Sequence, residues 1–375
     1  MTTTLVERIP SLQQATATLR LSGGEEPNTN QDASQAKVNK VPPPDYKYKR
    51  FLPTFDRETK YEPLTPFEHH DPGLDALKHE NPREFLQGAT VNALSPNFGS
   101  EVEGIQLSKL DARGKSQLAL FVAQRGVVAF RDQDFIDQSP EWQLNEWGKT
   151  FGRLHIHPTS GAPEGYPEFH LVYRDGAPKK GLPSYNPNKL SSTGWHSDVT
   201  YEEQPPGLTT LFLYDSPSSG GDTGYVSQVE AYKRLSPPFQ QFLETLSVVH
   251  SGVAQADFSR AGNRGGVVRR EPVENVHPLV RRHPVTGEKA LFVNKQFSRY
   301  IVGLKSEESD AILDLLYTHI AQGHDFQIRA KWKPKTVVLW DNRITAHTAI
   351  GDYSPERDGF RHGSRITPQA ERPFL

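Results

Sequence analysis

Short apolar runs, closely punctuated, limit the architectures open to this chain. HLVYRD, GLTTLFLYDS, ALFVNK, FQIRAKWK and TVVLWDN each have the length and the β-branched or aromatic content of a strand, and Gly- and Pro-containing turns separate them. Helical segments are fewer. Asp111 can cap a helix through about Gln124, which Gly126 ends before the buried strand GVVAFRD. Ser139-Pro140-Glu141 starts a second helix running to about Thr150, with proline in the tolerated first turn. Ser306 starts a third, in which Ile312, Leu315, Leu316 and His319 recur at helical spacing and Gly323 marks the end. Many short strands with a few inserted helices predict a mainly β chain with flanking helices, built as an antiparallel sandwich or jelly roll. Regular strand–helix alternation is missing, and so is the GxGxxG fingerprint of a dinucleotide-binding fold.

Composition divides the chain. Residues 1–45 contain GGEEPNTNQDASQAK and VPPP, too few apolar groups to offset ordering entropy, and read as a flexible tail. Residues 46–85 space aromatics with Pro and charge (YKYKRFLPTF, YEPLTPFEHH) and read as an extended arm lying over a globular body formed by residues 86–375. Arms of this kind can join two copies, so a homo-oligomer is one candidate assembly. The 43 basic and 45 acidic residues give a net charge of −2, which offers no attraction for nucleic acid or an anionic membrane. No cysteine is present, which excludes disulfides, thiolate metal sites and cysteine nucleophiles. No apolar run approaches the roughly 18 residues of a membrane span, and no secretory signal opens the chain. A soluble, cytoplasmic protein is the expectation.

The stretch GWHSDVT places His196 two residues before Asp198. In an extended strand both would project to one face. A half-exposed strand with a polar side is the plain explanation, and a metal is the alternative. His347 in WDNRITAHTA is the candidate third ligand. Two histidines and one carboxylate on one face of an octahedron leave three positions open, the arrangement of non-heme Fe(II) oxygenases. A 2-oxo acid can chelate through two of them and leave the last for O2. The distal carboxylate of 2-oxoglutarate needs a fixed cation, and Arg361 lies fourteen residues after His347. Thr223 of GGDT could add a hydroxyl. Arg365 follows Arg361 at an even spacing, so both would face one interior.

These residues resemble a known family. GWHSDVTYEEQPPG, SSGGDTGYVS, HPLVRRHPVTGEKALFVN, VVLWDNRITAHTAIGDY and Arg361-His-Gly-Ser-Arg365 together resemble the taurine dioxygenase (TauD/TfdA-like) family, Fe(II)- and 2-oxoglutarate-dependent oxygenases. The likeness runs from about Leu94 to Pro368, and the N-terminal extension is similar to that of fungal members. The resemblance implies a double-stranded β-helix (jelly roll, cupin-like) core. It implies iron on His196, Asp198 and His347, 2-oxoglutarate on Thr223 and Arg361, and a substrate anion on Arg365 with His157 beside it. The implied reaction decarboxylates 2-oxoglutarate to succinate and CO2 and oxidises an unactivated C–H bond of a small anionic substrate. An alkyl sulfonate such as taurine, or an amino or other carboxylic acid, would be hydroxylated, desaturated or cyclised. Ser192 and Ser160 stand where taurine-cleaving members place an asparagine and a tyrosine on the substrate, so the chemistry carries over further than the substrate does.

Two rivals share the ligand pattern. A zinc hydrolase could use the same three ligands to activate water, but has no use for a 2-oxoglutarate anchor. A non-catalytic jelly-roll binding protein would tolerate loss of Asp198 or His347. Elsewhere, His155 reads as a structural histidine, and Glu68-His69-His70-Asp71 as a solvated loop. Residues 260–270 read as a glycine-rich lid. Asp341 and Arg343 are expected to orient the strand before His347 through hydrogen bonds. Phe292 is a candidate for the cavity wall, or equally for the core.

Overall fold

The computed structural model describes residues 42–174, 194–262 and 266–375. Ser192, most of the expected flexible tail and part of the glycine-rich segment lie outside these residues. Sheets form the framework of the described residues and helices are added around them, the coarse arrangement expected from the sequence. Seven strands form the largest sheet, in the order Thr90–Ala93, Ser100–Glu103, Val127–Phe130, Val337–Asp341, Leu208–Asp215, Arg361–Ile366 and Phe169–Arg174. All neighbours in it are antiparallel except Ser100–Glu103 with Val127–Phe130. A three-stranded sheet pairs Thr223–Ser227 with Gln327–Ala330 on one side and Thr345–Ala349 on the other. The two sheets share a core in which Leu211, Val338 and Trp340 of the larger meet Tyr225 and Ala330 of the smaller. Each large apolar side chain buried there stabilises the fold by about 1.5–3 kcal/mol relative to exposure.

The helices follow their predicted signals, with two differences. Asp111 Oδ1 accepts the Gly114 N–H at 2.7 Å and starts the helix Ala112–Arg125. Gly126 ends it at φ 72°, where a Cβ would lie 2.5 Å from the Phe98 ring. Ser139 Oγ likewise accepts the Trp142 N–H, but the segment behind it winds as a π-helix over Trp142–Trp147 and a 3-10 helix over Gly148–Phe151. In the helix Ser306–Gln322, Glu308 accepts the Lys305 N–H at 2.9 Å. Its buried stripe is Leu313, Leu316 and Ile320, whereas Leu315 is 53% exposed. The apolar run there is wider than one face, and packing against the strand Ser298–Ile301 selects the stripe shifted by one residue.

The arm is tied down. Phe51 stacks on Tyr214 at 4.7 Å, and its carbonyl accepts from His362 Nε2 at 2.9 Å. Asp71, expected in a solvated loop, is buried and pairs with Arg343 Nη1 at 2.6 Å. Arg343 also holds Asp341 and Glu371, and Asp341 receives His283 Nε2 at 2.9 Å. A cation this deep requires anionic partners, and the arm supplies one of them across 272 residues of sequence.

Candidate functional site

His196 and His347 lie side by side through a two-way backbone pairing, His196 N–H to His347 O at 3.0 Å and the reverse at 2.8 Å. The strand expected through GWHSDVT ends there. Asp198 to Thr200 form a turn, with Val199 at φ 38° in the left-handed region that β-branched residues rarely adopt. The two-residue spacing therefore works through a strand end and a turn rather than along one strand face. Ser197 Oγ donates to Thr345 O at 2.6 Å, and the Asp198 N–H donates to Asn342 Oδ1 at 3.1 Å. One ligand atom from each of His196, Asp198 and His347 then lies within 4.8 Å of the others.

The protonation states suit a divalent cation. His196 Nδ1 is 2.9 Å from Gly194 O, so it carries the proton and Nε2 keeps the lone pair, 3.8 Å from Asp198 Oδ1. Burial pushes the His347 pKa well below its ordinary value despite the nearby Asp198, which keeps the ring neutral. Burial alone would raise the Asp198 pKa, but Arg365, His347 and His196 outweigh it and hold the carboxyl well below the usual range. Asp198 Oδ2 and His347 Nδ1 are buried without a hydrogen-bond partner. Arg365 Nη1 bonds to Asp198 Oδ1 and lies 3.5 Å from His347 Nε2, placing positive charge among the same donors. An oxygen and two imidazole nitrogens arranged in this way fit Fe(II).

Arg361 and Arg365 share one face of the strand Arg361–Ile366 and line the same cavity of about 660 Å³ as the three metal-binding side chains. Gly363 between them has no room for a side chain. A Cβ would lie 2.4 Å from both Leu213 Cδ2 and Phe212 O, where the neighbouring strand shifts register. Arg361 Nε donates to Gly221 O at 3.0 Å and Nη2 to Thr223 Oγ1 at 3.2 Å. Trp332 Nε1 donates to the same hydroxyl at 3.2 Å, so the Thr223 O–H is left to donate into the cavity. No carboxylate forms an ion pair with Arg361 among the described residues. A buried guanidinium without an anion, beside a metal group, fits the distal carboxylate of 2-oxoglutarate.

Comparison with known proteins agrees. Residues 90–367 match the model of the family described as "Taurine catabolism dioxygenase TauD, TfdA family". The chain belongs to this family. It is 46% identical over 330 residues to an alpha-ketoglutarate-dependent sulfonate dioxygenase of Saccharomyces cerevisiae, covering 87% of this chain and 79% of that protein. It is 40% identical over 331 residues to the alpha-ketoglutarate-dependent dioxygenase cnsP of Penicillium expansum, covering 87% of each. The solved structure of a taurine dioxygenase from Burkholderia xenovorans superposes with a TM-score of 0.60 at 31% identity, covering 76% of this chain and 91% of that one. This TauD/TfdA protein is a 2-oxoglutarate-dependent dioxygenase that works with Fe(II) and O2.

The remaining sequence-predicted residues divide. His157 and Ser160 line the dioxygenase's cavity. His157 Nδ1 accepts the Thr159 N–H at 3.1 Å, which puts the ring proton on Nε2. Ser160 Oγ lies 3.0 Å from His170 Nε2. His170, which no motif marks, faces Arg365 directly across the strand pair, and its ring lies tilted 4.2 Å from that of His157. Phe292 is not among the cavity-lining residues. It is buried between His250, His277 and Arg281 in the core behind the site, as a register of alternate in- and out-facing residues allows but cannot specify. His155 is structural, in contact with Glu202 and Arg270 at 2.9 Å each. The glycine-rich segment is only partly lid-like. Gly262 lines the cavity, but Val267, Val268, Arg269 and Arg270 are buried. Tyr225, also unmarked, directly opposes His347 across the strands, and its hydroxyl is buried without a hydrogen-bond partner.

Proposed function

We propose that this dioxygenase oxidises a C–H bond of a small anionic organic substrate, releasing succinate and CO2. His196, Asp198 and His347 would hold Fe(II), and Arg361 with Thr223 would hold the distal carboxylate of 2-oxoglutarate. Bound there, iron with 2-oxoglutarate and O2 supplies the oxidant that removes the hydrogen atom. With Asp198 committed to the metal, the Arg365 guanidinium is the cation available to the substrate's head group, and the His157 Nε2–H a second donor. Burial holds the His347 ring neutral, so it does not compete for a proton. The yeast relative named a sulfonate dioxygenase favours a sulfonate, with an amino or other carboxylic acid as the variant reading. Hydroxylation is the default outcome, and desaturation or ring closure follows if the substrate radical loses a second hydrogen.

The shared core of the seven- and three-stranded sheets supports a double-stranded β-helix for the catalytic part, residues 86–375, with 46–85 as its arm and 1–45 as a tail. No helix among the described residues is long and apolar enough to cross a membrane. Fe(II) and 2-oxoglutarate are intracellular reagents, which supports a cytoplasmic setting.

One observation carries the reading: the three metal-binding side chains, Arg361 with Thr223, and Arg365 all open into a single cavity. The test incubates the protein with Fe(II), 2-oxoglutarate and a panel of sulfonates and carboxylic acids and measures substrate-dependent succinate. Stimulation by anions is expected. Stimulation by large neutral molecules alone would remove Arg365 from its role. The zinc-hydrolase alternative predicts no visible charge-transfer band when Fe(II) and 2-oxoglutarate are combined without oxygen.

A further inference from the structure

The arm reaches the active site. Pro53 and Phe55 line the same cavity as His347 and Arg365, although both lie outside the residues that match the family. Phe55 is 38% exposed, an aromatic ring left open at the cavity wall. Its backbone is not free to drift. Thr54 and Ala162 exchange backbone hydrogen bonds at 2.8 and 3.3 Å, and Thr54 Oγ1 adds a third to Ala162 O at 2.7 Å. Gly161 is the seat. A Cβ there would lie 2.8 Å from Phe55 and 3.0 Å from Thr54 O. The segment so clamped, residues 157–162, is the one that carries His157 and Ser160. On one side of Phe55 the arm is fixed by His362 to Phe51, and on the other by the Tyr61 N–H to Arg269 O at 2.7 Å.

The cavity's charges say what this wall meets. Asp198 is the only carboxylate lining it among the described residues, and it belongs to the metal group. Among the described residues, an ammonium at the far end of a substrate would find no counter-charge there. Phe55, Pro53, Val199 and Phe297 offer apolar surface instead. We propose that the arm is a specificity element of this dioxygenase: Phe55 packs against the carbon chain of an anionic substrate whose other end is apolar, so that alkyl sulfonates are preferred over their amine-bearing counterparts. The proposal rests on the anionic-substrate reading above and goes beyond it by naming the chain and the residue that measures it.

The test uses the full chain with Fe(II) and 2-oxoglutarate, and compares hexane-1-sulfonate with taurine by succinate release. The wild-type protein favours hexanesulfonate. In Phe55→Ala the ratio of kcat/KM for hexanesulfonate to that for taurine falls about tenfold, the loss of contact with roughly two methylene groups. Phe55→Leu, which keeps an apolar side chain, recovers most of the ratio. A second readout needs no turnover: with Mn(II) and N-oxalylglycine bound, hexanesulfonate raises the unfolding temperature of the wild-type protein more than that of Phe55→Ala. A wild-type preference for taurine, or a ratio unchanged in Phe55→Ala, overturns the proposal. If neither these sulfonates nor any carboxylic acid stimulates succinate release, the functional reading itself falls and the arm's role falls with it. In all variants the anaerobic charge-transfer band remains, which separates a changed wall from a lost metal site.

Discussion

The two ends of the cavity are built differently. At the metal and cosubstrate end, the side chains sit on or beside paired strands and several are held by named contacts: the Asp198 backbone by Asn342, His196 by Gly194 and Arg361 by Gly221 and Thr223. At the substrate end the wall is assembled from a clamped arm, the segment 157–162 and the turn at Val199. Regular strands set positions to a fraction of an ångström, as a shared reaction requires. Irregular segments tolerate substitution, and selectivity can change there without disturbing the chemistry. Ser160 and the arm both fall at the second end.

The largest effect should break the metal end outright. His347→Ala is expected to abolish both the anaerobic charge-transfer band and succinate release, since it removes a ligand and the cross-strand partner of Tyr225 together. Retention of the band would mean that the three side chains do not hold the metal. Arg361→Lys comes next. It keeps the charge and loses the fork that spans Gly221 and Thr223, so 2-oxoglutarate should bind about ten- to a hundredfold more weakly, the range for a lost charged hydrogen bond. Equilibrium titration of 2-oxoglutarate against the band would show it. An unchanged affinity would send the distal carboxylate elsewhere, with Arg365 the other buried cation lining the cavity among the described residues.

Asn342→Ala probes the support of the metal end rather than its ligands. Asn342 Oδ1 holds the Asp198 N–H and Trp340 Nε1, and Nδ2 donates to Thr209 Oγ1 at 2.6 Å. Losing that brace should weaken Fe(II) binding about tenfold, the lower end for groups that orient a ligand. The same change should leave the hexanesulfonate-to-taurine ratio alone. A shifted ratio with intact iron binding would mean that the two ends are not separable.

That division also tracks what could be read from the chain. His196 with Asp198, and Arg361 with Arg365, could be paired because strand-period spacing acts over a few residues, whereas His347 and the expected roles of all five rested on the family resemblance. Even there the mechanism differed, since the turn at Val199 rather than a continuous strand delivers Asp198. His170 was invisible because its importance comes from register, opposite Arg365, which a single sequence does not specify. Asp71 read as part of a solvated loop, and Phe55 was not marked within the arm. Their partners, Arg343 and Gly161, lie 272 and 106 residues away, and only the folded chain brings a buried cation or a side-chain-free seat beside them. Phe292 had the right composition for a cavity wall, and packing turned it into the core behind the site.

The smallest expected effect tests whether the arm is held as tightly as the body. His362 Nε2 donates to Phe51 O, and Nδ1 accepts from Tyr46 Oη at 2.8 Å, so a neutral ring joins the arm to the strand that carries both arginines. Burial lowers its pKa from 6.5 to about 4, and lowers that of His277, within the body, to about 4 as well. Between those values the unfolded chain takes up protons that the folded chain refuses. Stability therefore rises with pH, and what each ring contributes above about pH 6.5 is lost as pH falls towards 4. From pH 7 to pH 6 the loss is about 0.7 kcal/mol for each histidine. His362→Gln keeps a donor for the Phe51 carbonyl and removes the titration. Denaturant unfolding at the two pH values should therefore show a loss about 0.7 kcal/mol smaller in the variant than in the wild-type protein. Equal losses would mean that His362 titrates as freely in the folded chain as in the unfolded one, and that the arm's grip on the outer face of the arginine strand is looser than the body's own packing.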